Sequence, residues 1–311
     1  MSEDKNKTVS RKYGKKDILR ITAIAVCLVV FAVSVGGIIS ILNGYGRADK
    51  LYGDISSGFE NAGQGAADGF FINPMLSISP GVPLANYSGQ INNPGTNHNG
   101  EASGNNGTNA GSAEFQRKLG YLNELREQNY DTYGFIQIDG TKISYPVVQA
   151  ADNDYYVKRG FNKKYLSSGT IFVDYRNSRT ISENHNLIIY GHNMLNGSMF
   201  HDLARYDKNI HDDAEDFFAS HDEIRITTFD GIYTFKIFSF YQTTDTDPYL
   251  ITNFFSDEAF LGYCNTASER SMYNTGITVS ADDVILTLST CVNGKPTERY
   301  ACHAKLIDIQ K

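Results

Sequence analysis

The chain has 311 residues, a formal net charge of −7 and only four cysteines. The negative charge argues against a general affinity for nucleic acid, whose backbone attracts clustered Lys and Arg. The cysteines form no disulfide framework, and their spacing fits neither a zinc site nor a redox pair. No cofactor is expected.

The N-terminus predicts a membrane anchor. Ile21–Leu42 is an unbroken run of about 22 apolar and small residues, and a helix of that length crosses the ~30 Å hydrocarbon core. Basic residues outnumber acidic ones ahead of it. The positive-inside rule therefore predicts that residues 1–20 form a cytoplasmic tail, that residues 21–42 span the cell membrane once and that the rest lies outside the cell. A cleaved signal peptide is the alternative, although its apolar stretch is usually about 7 to 15 residues.

Residues 43–112 are rich in Gly, Asn, Ser and Ala, with scattered prolines and few charges. Such a segment cannot bury enough apolar surface to offset its ordering entropy, so it predicts a flexible extracellular linker. Residues 113–311 are then expected to form one domain of roughly 200 residues.

This domain is predicted to be a mostly antiparallel, eight-stranded β-barrel with peripheral helices. Apolar residues at helical spacing predict a first helix over Glu114–Asn129, and further helices are predicted over Met199–Tyr206, Asp212–Ser220 and Ser256–Ser271. Asp230-Gly231 predicts a tight hairpin turn with positive φ at both positions. Runs rich in β-branched and aromatic residues predict the strands: Tyr133–Ile138, Ile143–Val148, Thr170–Tyr175, Asn186–Tyr190, Glu223–Phe229, Ile232–Phe240, Asp283–Thr290 and Arg299–Ile309.

Three candidate catalytic residues lie at predicted strand ends. Cys291 follows a strand, His192 follows another strand after a glycine, and Arg299 opens the last strand. Each has a plain structural interpretation as well: a buried inert cysteine, a surface histidine and an edge-strand charge. Together they supply what a cysteine nucleophile needs, namely a base or positive field, a proton donor for the leaving group and a donor to the oxyanion.

The remaining cysteines and histidines predict no site. Cys27 lies inside the apolar segment, and Cys302 lies on the opposite face of the last strand from Arg299, between apolar neighbours. His201, His211 and His221 lack the spacing of a helical metal-binding pair and are expected to be exposed, so no metal is predicted.

These residues resemble the sortases, class B in particular. The similarity lies in Thr287–Cys291, which reads TLSTC, in Tyr190–Asn193, which reads YGHN, and in Arg299 ahead of Ala304–Leu306. Ile143–Gln149 and Gly169–Asn177 look like class B segments as well. The resemblance covers about Glu114 to the C-terminus.

The resemblance implies the sortase barrel and a cysteine transpeptidase. Cys291 would attack a C-terminal sorting motif of secreted proteins and form a thioacyl enzyme. His192 would handle the amine protons, Arg299 the oxyanion, and a peptidoglycan precursor amine would accept the acyl group. The resemblance further implies a peptide groove lined by Asn153, Val157, Tyr249, Leu250, Ser289 and Thr290. Two features depart from the family pattern: the long linker, and Ala301–His303, where apolar β-branched residues are more usual.

Two other functions remain open. A pilin-polymerising sortase would share the catalytic residues but use a lysine of another protein subunit as acceptor. A non-catalytic, tethered adhesin or wall-binding barrel would leave the cell-surface phenotype unchanged after Cys291→Ala, whereas either enzyme would lose its product.

Overall fold

The computed structural model describes residues 15–64 and 106–311. Within them lie α1 (Lys15–Gln64), α2 (Asn106–Gln128), α3 (Ala214–Ser220) and α4 (Asp257–Arg270), with short 3-10 helices at Ile181–Glu183 and His201–Tyr206. The strands are β1 (Thr132–Gln137), β2 (Ser144–Val148), β3 (Ile171–Val173), β4 (Asn186–Tyr190), β5 (Glu223–Thr227), β6 (Ile232–Thr244), β7 (Ile285–Val292) and β8 (Lys295–Gln310).

The strands close into a barrel in the order β1-β2-β3-β4-β7-β8-β6-β5. Six of the neighbouring pairs are antiparallel, whereas β2–β3 and β4–β7 are parallel. The predicted eight-stranded, mostly antiparallel barrel is confirmed. Closure gives every strand two partners, so no edge is left free to pair with another chain.

Strands β6, β7 and β8 are covered on both faces. One face belongs to the main core, and the other packs beneath α4, which contributes Phe260, Cys264 and Ala267. Burial on both faces explains why β7 reads as a nearly continuous apolar and β-branched run rather than an alternating one. The connection that carries α4 therefore forms a wall over the outer side of these strands.

The predicted linker does not begin at Asn43, because α1 continues to Gln64. The extension is amphipathic: one side of it is buried, at Ala48, Leu51, Tyr52, Ile55, Phe59 and Ala62. This three- and four-residue spacing is typical of a helix that packs one face on a core. The linker was predicted from the Gly- and Ser-rich composition, which does not take this spacing into account. Helix α2 likewise begins earlier than predicted, at Asn106. Residues 65–105 of the predicted linker lie outside the described residues.

Aromatic contacts fix the second half of α1 on the barrel. The ring of Phe59 stacks on that of Phe135 in β1, with 3.8 Å between the ring centroids. The hydroxyl of Tyr52 bonds to the carbonyl of Gly169 and lies 3.0 Å from Thr170 Oγ1. Arg117 of α2 donates to the carbonyl oxygens of Ala62 and Gly63 at the end of α1. The second half of α1 is thus part of the folded domain.

The first half of α1 contains a stretch long and apolar enough to cross a membrane. Its side chains are exposed, as in Leu28, Phe31 and Val33. Because the same helix continues into the docked half, the apolar stretch and the barrel are joined without a break in the backbone hydrogen bonding of the helix.

The hairpin predicted at Asp230-Gly231 is present, but its turn is longer than predicted. Thr227 of β5 pairs with Ile232 of β6, which leaves four residues in the loop, and neither Asp230 nor Gly231 has positive φ. The backbone amide of Thr228 donates to the carbonyl of Gly231 instead. A short Asp-Gly pair therefore marked the hairpin correctly but not its turn type.

His303 of β8 is buried and held as a neutral imidazole. The hydroxyl of Thr287 donates to Asn186 Oδ1, so Thr287 Oγ1 accepts from His303 Nδ1 at 2.9 Å. The other ring nitrogen then accepts from the hydroxyl of Tyr241 at 3.1 Å. Burial, assisted by the positive charge of Arg270, lowers the pKa of His303 to about 3.

Acidification is expected to destabilise the fold through His303. In the unfolded chain His303 has its ordinary pKa of about 6.5 and binds a proton below that pH, whereas in the folded chain it stays neutral down to about pH 3. Between these two pH values the free energy of unfolding is therefore expected to fall by about 1.4 kcal/mol per pH unit. Urea unfolding between these pH values measures this slope. His303→Gln removes the titrating group and is expected to give a flatter curve. Parallel curves for the two proteins would contradict the assignment.

Candidate active site

Strands β4 and β7 bring His192 and Cys291 to the same end of the barrel. The two strands are parallel neighbours, and Tyr190 pairs with Ser289 at their ends. His192 and Cys291 each follow that pair by two residues, on strands about 4.8 Å apart. A hydrogen bond of 3.2 Å from the amide of Gly191 to the carbonyl of Ser289 holds the two chain segments together beyond the pair. The predicted proximity of these two segments is thus present in the fold.

The hairpin of β7 and β8 places Arg299 directly across from Cys291. The two residues are paired in the antiparallel register, and Val292 pairs with Lys295 around a turn in which Gly294 has a φ of +76°. The strands extend further than predicted, since β7 runs one residue past Cys291 and β8 begins four residues before Arg299. Cys291 and Arg299 therefore lie within the hairpin and not at its outer limits.

Contacts within the hairpin hold the guanidinium of Arg299. Its Nη1 donates to the carbonyl oxygens of Pro296 at 2.6 Å and Glu298 at 2.9 Å, while Nη2 lies 3.5 Å from Asp245 Oδ2. The side chain is 21% exposed. A partly desolvated cation with a fixed position can act on charge that develops beside it.

Among the three cysteines of the barrel, Cys291 is the one that is not buried. Cys302 lies in the main core, and Cys264 lies on the buried face of α4. Burial raises the pKa of the Cys264 thiol to about 12 and that of the Cys302 thiol further. A thiolate is the reactive form of cysteine, so these two thiols are chemically inert.

One ring nitrogen of His192 is already committed to the backbone. Its Nε2 lies 2.8 Å from the carbonyl oxygen of Val157. A carbonyl oxygen only accepts hydrogen bonds, so Nε2 carries a proton and Nδ1 remains for exchange with another group. This contact fixes the orientation of the imidazole ring. Val157, a predicted groove residue, takes part in it through its backbone carbonyl and not through its side chain.

Asn193 connects the His192 segment to the strand that carries Cys291. Its Nδ2 donates to the carbonyl of Cys291 at 3.1 Å, and its Oδ1 accepts from His201 Nδ1 at 2.9 Å and from Asn293 Nδ2 at 3.0 Å. Asn193 belongs to the YGHN motif, and the motif predicted no role for it. Because it is adjacent to His192, its bond to Cys291 restrains the separation of the two candidate catalytic residues.

Removal of this restraint is expected to slow the chemistry more than it weakens substrate binding. Asn193→Ala is expected to lower kcat about tenfold to a hundredfold with little change in KM, since small displacements of reacting groups have effects of this size. Steady-state kinetics with a peptide substrate measures both constants. Asn293→Ala is the matched control, because it deletes a neighbouring amide and leaves the bond to Cys291 in place. Equal losses in the two variants would contradict the restraint.

The predicted groove residues divide into two groups. Ser289 shares a face of β7 with Cys291, and its hydroxyl lies 2.7 Å from that of Tyr249. Burial raises the pKa of Tyr249 against the opposing effects of Ser289 and of the positive charge of Arg299, so its hydroxyl is neutral. Leu250 is next to it and half-buried. Ser289 and Tyr249 are themselves buried, so a peptide groove lined by these three residues stays a prediction.

The other predicted groove residues fit less well. Thr290 lies on the opposite face of β7 from Cys291, as alternate residues of a strand do, and is 3% exposed. That placement does not fit contact with a peptide in the same groove. Asn153 uses its side chain within the protein: Nδ2 donates to Asp174 Oδ2 and Oδ1 accepts from the amide of Tyr175.

A buried carboxylate supports the strand that leads to His192. Asp174 accepts two hydrogen bonds from the Arg176 guanidinium, at 2.8 and 2.7 Å, and one of 2.7 Å from the hydroxyl of Tyr190. Burial would raise the pKa of Asp174, but these donors hold it below its usual range. The residue pattern predicts no such role for Asp174, because its partners are set by the folding of β3 against β4.

His201, His211 and His221 are half-buried rather than exposed, contrary to the prediction. His201 bonds to Asn193, and the ring of His221 stacks on Phe217. His201 and His211 line a cavity of about 480 Å³ on the side of the hairpin that carries Val292 and Tyr300, away from Cys291. Within residues 15–64 and 106–311, no cluster of three or more His, Cys, Asp and Glu side chains could hold a metal ion.

The barrel and the residues at its end define a cysteine transpeptidase. The sortase domain model matches residues 136–307. Sortase B of Listeria monocytogenes is 37% identical over 189 residues, which cover 60% of this chain and 74% of that protein. Sortase B of Staphylococcus aureus is 33% identical over 187 residues, with the same coverage.

Solved structures give the same result. A crystal structure of sortase B from Bacillus anthracis in complex with AAEK1 superposes with a TM-score of 0.54 at 39% identity, covering 60% of this chain and 84% of that one. A complex of Staphylococcus aureus sortase B with substrate gives a TM-score of 0.56 at 32% identity, covering 61% and 86%. The chain belongs to the sortase family and is a class B sortase. Its resemblance to class B at the sequence level is thereby confirmed.

Proposed function

We propose that this chain is a membrane-anchored transpeptidase that joins secreted proteins to a peptidoglycan amine through a thioacyl intermediate. The observation that carries the proposal is the pairing of Cys291 with Arg299 beside the parallel strand that leads to His192. The arrangement offers a half-exposed thiol, a fixed cation and an imidazole at one barrel end.

In the first half of the reaction, the Cys291 thiolate attacks the carbonyl carbon of a peptide bond in the sorting motif. The carbonyl oxygen becomes an oxyanion beside the Arg299 guanidinium, which stabilises the charge. Collapse of the tetrahedral intermediate breaks the C–N bond, and the imidazolium of His192 gives its proton to the leaving amine. A thioester on Cys291 and a free C-terminal fragment result.

In the second half, an amine attacks the thioester. Neutral His192 takes a proton from the incoming nitrogen, the C–S bond breaks and the thiolate of Cys291 is regenerated. The new amide replaces the one that was cleaved, so no redox partner is required. The incoming nucleophile is an amine of a peptidoglycan precursor, the substrate class implied by membership of the sortase family.

The apolar half of α1 is proposed to hold this enzyme in the cell membrane, with the N-terminus in the cytoplasm and the barrel outside. The excess of Lys and Arg ahead of the apolar run supports this orientation. Protease added to intact protoplasts is expected to degrade the barrel and to spare an epitope placed at the N-terminus. The opposite pattern would reverse the topology.

Trapping of the acyl enzyme tests the mechanism. The protein is incubated with a library of quenched sorting peptides without an acceptor amine, and the intact mass and tryptic peptides are measured. We expect an added acyl mass on the peptide that contains Cys291, which disappears when an amine is supplied. No adduct on Cys291 with any peptide would overturn the mechanism.

Arg299→Lys is expected to lower kcat about 10²- to 10³-fold. Lysine keeps the charge but loses the planar fork by which Nη1 bonds to the hairpin carbonyls while Nη2 remains available. Asp245→Asn is the control, because it removes the weak 3.5 Å contact to Arg299 and leaves the hairpin contacts intact. Peptide cleavage rates measure both variants, and comparable activity of Arg299→Lys and the unaltered enzyme would contradict the role.

A further inference from the structure

A cluster of unpaired cations lies where α1 leaves its apolar stretch. Arg47 and Lys50 of α1 and Lys164 of the facing loop line a cavity of about 240 Å³, together with Asp54 and Tyr165. We name this set, Arg47, Lys50 and Lys164, the basic cluster. None of the three makes an ion pair or side-chain hydrogen bond with another residue in the described ranges.

With the apolar run of α1 in a bilayer, the basic cluster would lie at the headgroup layer and just beyond it. At 1.5 Å per residue, Arg47 is about 7.5 Å and Lys50 about 12 Å beyond Leu42, where the apolar run ends. The headgroup layer on each side of the hydrocarbon core is about 5 to 8 Å thick. Side chains on a helix lean toward its N-terminus, which here is the membrane side, so both cations reach back toward that layer.

The facing loop is held at the same level by contacts with α1. Ser167 approaches Gly44, two residues past the apolar run, so closely that a Cβ added to Gly44 would lie 3.4 Å from the Ser167 hydroxyl. A Cβ added to Gly160 would lie 3.2 Å from the side chain of Leu51. Tyr165, which belongs to this loop, is 69% exposed. An exposed tyrosine beside cations is the composition typical of the membrane–water interface.

We infer that the basic cluster binds the phosphate of an anionic phospholipid in the membrane that α1 crosses, and so seats the barrel on the bilayer surface. Three cations against the single carboxylate of Asp54 leave a net positive cavity, and phosphate is the anion that lies at this depth. The inference rests on the proposed membrane insertion of α1.

Seating would also set the height of the active site. The side chain of Asn196, four residues after His192, donates to Asp49 Oδ1 at 3.1 Å. The segment that carries His192 is therefore attached to the same stretch of α1 as the basic cluster. A barrel attached at this level would hold His192 at a constant height above the bilayer.

A tryptophan reporter tests the inference, since the chain contains no tryptophan. The full chain with Tyr165→Trp is placed in phosphatidylcholine nanodiscs with or without phosphatidylglycerol, each with a trace of lipid spin-labelled at the headgroup. We expect stronger fluorescence quenching with phosphatidylglycerol. Each cation contributes about fivefold to the apparent affinity for phosphatidylglycerol. The triple variant Arg47→Gln, Lys50→Gln and Lys164→Gln is therefore expected to bind this lipid about a hundredfold more weakly.

The matched control carries Lys208→Gln, Lys236→Gln and Lys311→Gln, which remove the same charge from other surfaces and should leave the quenching unchanged. Equal quenching in both lipids, or equal loss in both triple variants, would overturn the inference. Competition by inorganic phosphate at low concentration would assign the cavity to a free anion instead. If α1 did not insert, the protein would separate from the nanodiscs on gel filtration, which distinguishes failure of the anchor from failure of the basic cluster.

Discussion

Cys291→Ala is expected to lower the rate of peptide cleavage and of amide formation by at least about 10⁴-fold, the scale on which removal of a covalent nucleophile acts. The thiol is half-exposed at the barrel end, faces Arg299 across the hairpin and lies on the strand next to the one that leads to His192. Of the other cysteines in residues 15–64 and 106–311, Cys264 and Cys302 are buried and Cys27 lies in the apolar half of α1. Cleavage of a quenched peptide and mass spectrometry of the product with an added amine measure the two activities.

The matched controls are Cys302→Ala and Cys264→Ala. Both thiols are buried and protonated, so their removal is expected to cost stability through lost packing and to leave kcat nearly unchanged in protein that folds. Thermal unfolding separates the two effects. If Cys291→Ala retained cleavage while Cys302→Ala abolished it, the assignment of the nucleophile would be wrong.

The barrel could be predicted because local sequence and final environment agree along its strands. β7 is apolar and β-branched over its length, and it is covered on both faces by the main core and by α4. Cys302 is fully buried, as its place on the opposite face of the last strand from Arg299 predicts. In such segments the burial of a strand determines its residue types, so the strand can be predicted without knowing which strands it pairs with.

Composition misled the prediction where a periodic pattern was sparse. The second half of α1 contains several Gly and Ser residues among Leu51, Tyr52, Ile55 and Phe59. A count of residue types predicts a linker, whereas the spacing of these four predicts one buried face. The docking of Phe59 on Phe135 depends on β1, which is far away in the chain, so tertiary contact and not intrinsic propensity decides the conformation.

Polar contacts across the site could not be predicted from the sequence. Asn193 bonds to the carbonyl of Cys291, 98 residues further along the chain, and Tyr249 meets Ser289 over 40 residues. Such pairs depend on strand order and register, which a periodic pattern does not specify. Thr290 illustrates the same limit, because a shift of one position along β7 moves a side chain from the groove to the other face.

His192→Gln is expected to lower kcat about 10²- to 10⁴-fold, the usual contribution of a general acid and base. Glutamine can still donate a hydrogen bond to the carbonyl of Val157, as His192 Nε2 does at 2.8 Å. The local backbone should therefore stay in place while the proton-transfer group at Nδ1 is lost. KM for the peptide is expected to change little, because the imidazole acts on protons and not on the binding of the motif.

The pH dependence of the remaining activity distinguishes this role from a structural one. A bell-shaped rate profile requires one group that must be protonated and a second that must be deprotonated, and the limb that depends on His192 should disappear in His192→Gln. His211→Gln is the matched control: it replaces a half-buried histidine that lines the cavity on the other side of the hairpin, and both limbs should remain. An unchanged bell in His192→Gln would transfer the proton chemistry to another group, and the segment from Tyr190 to Asn193 would then serve only to position the strand of Cys291.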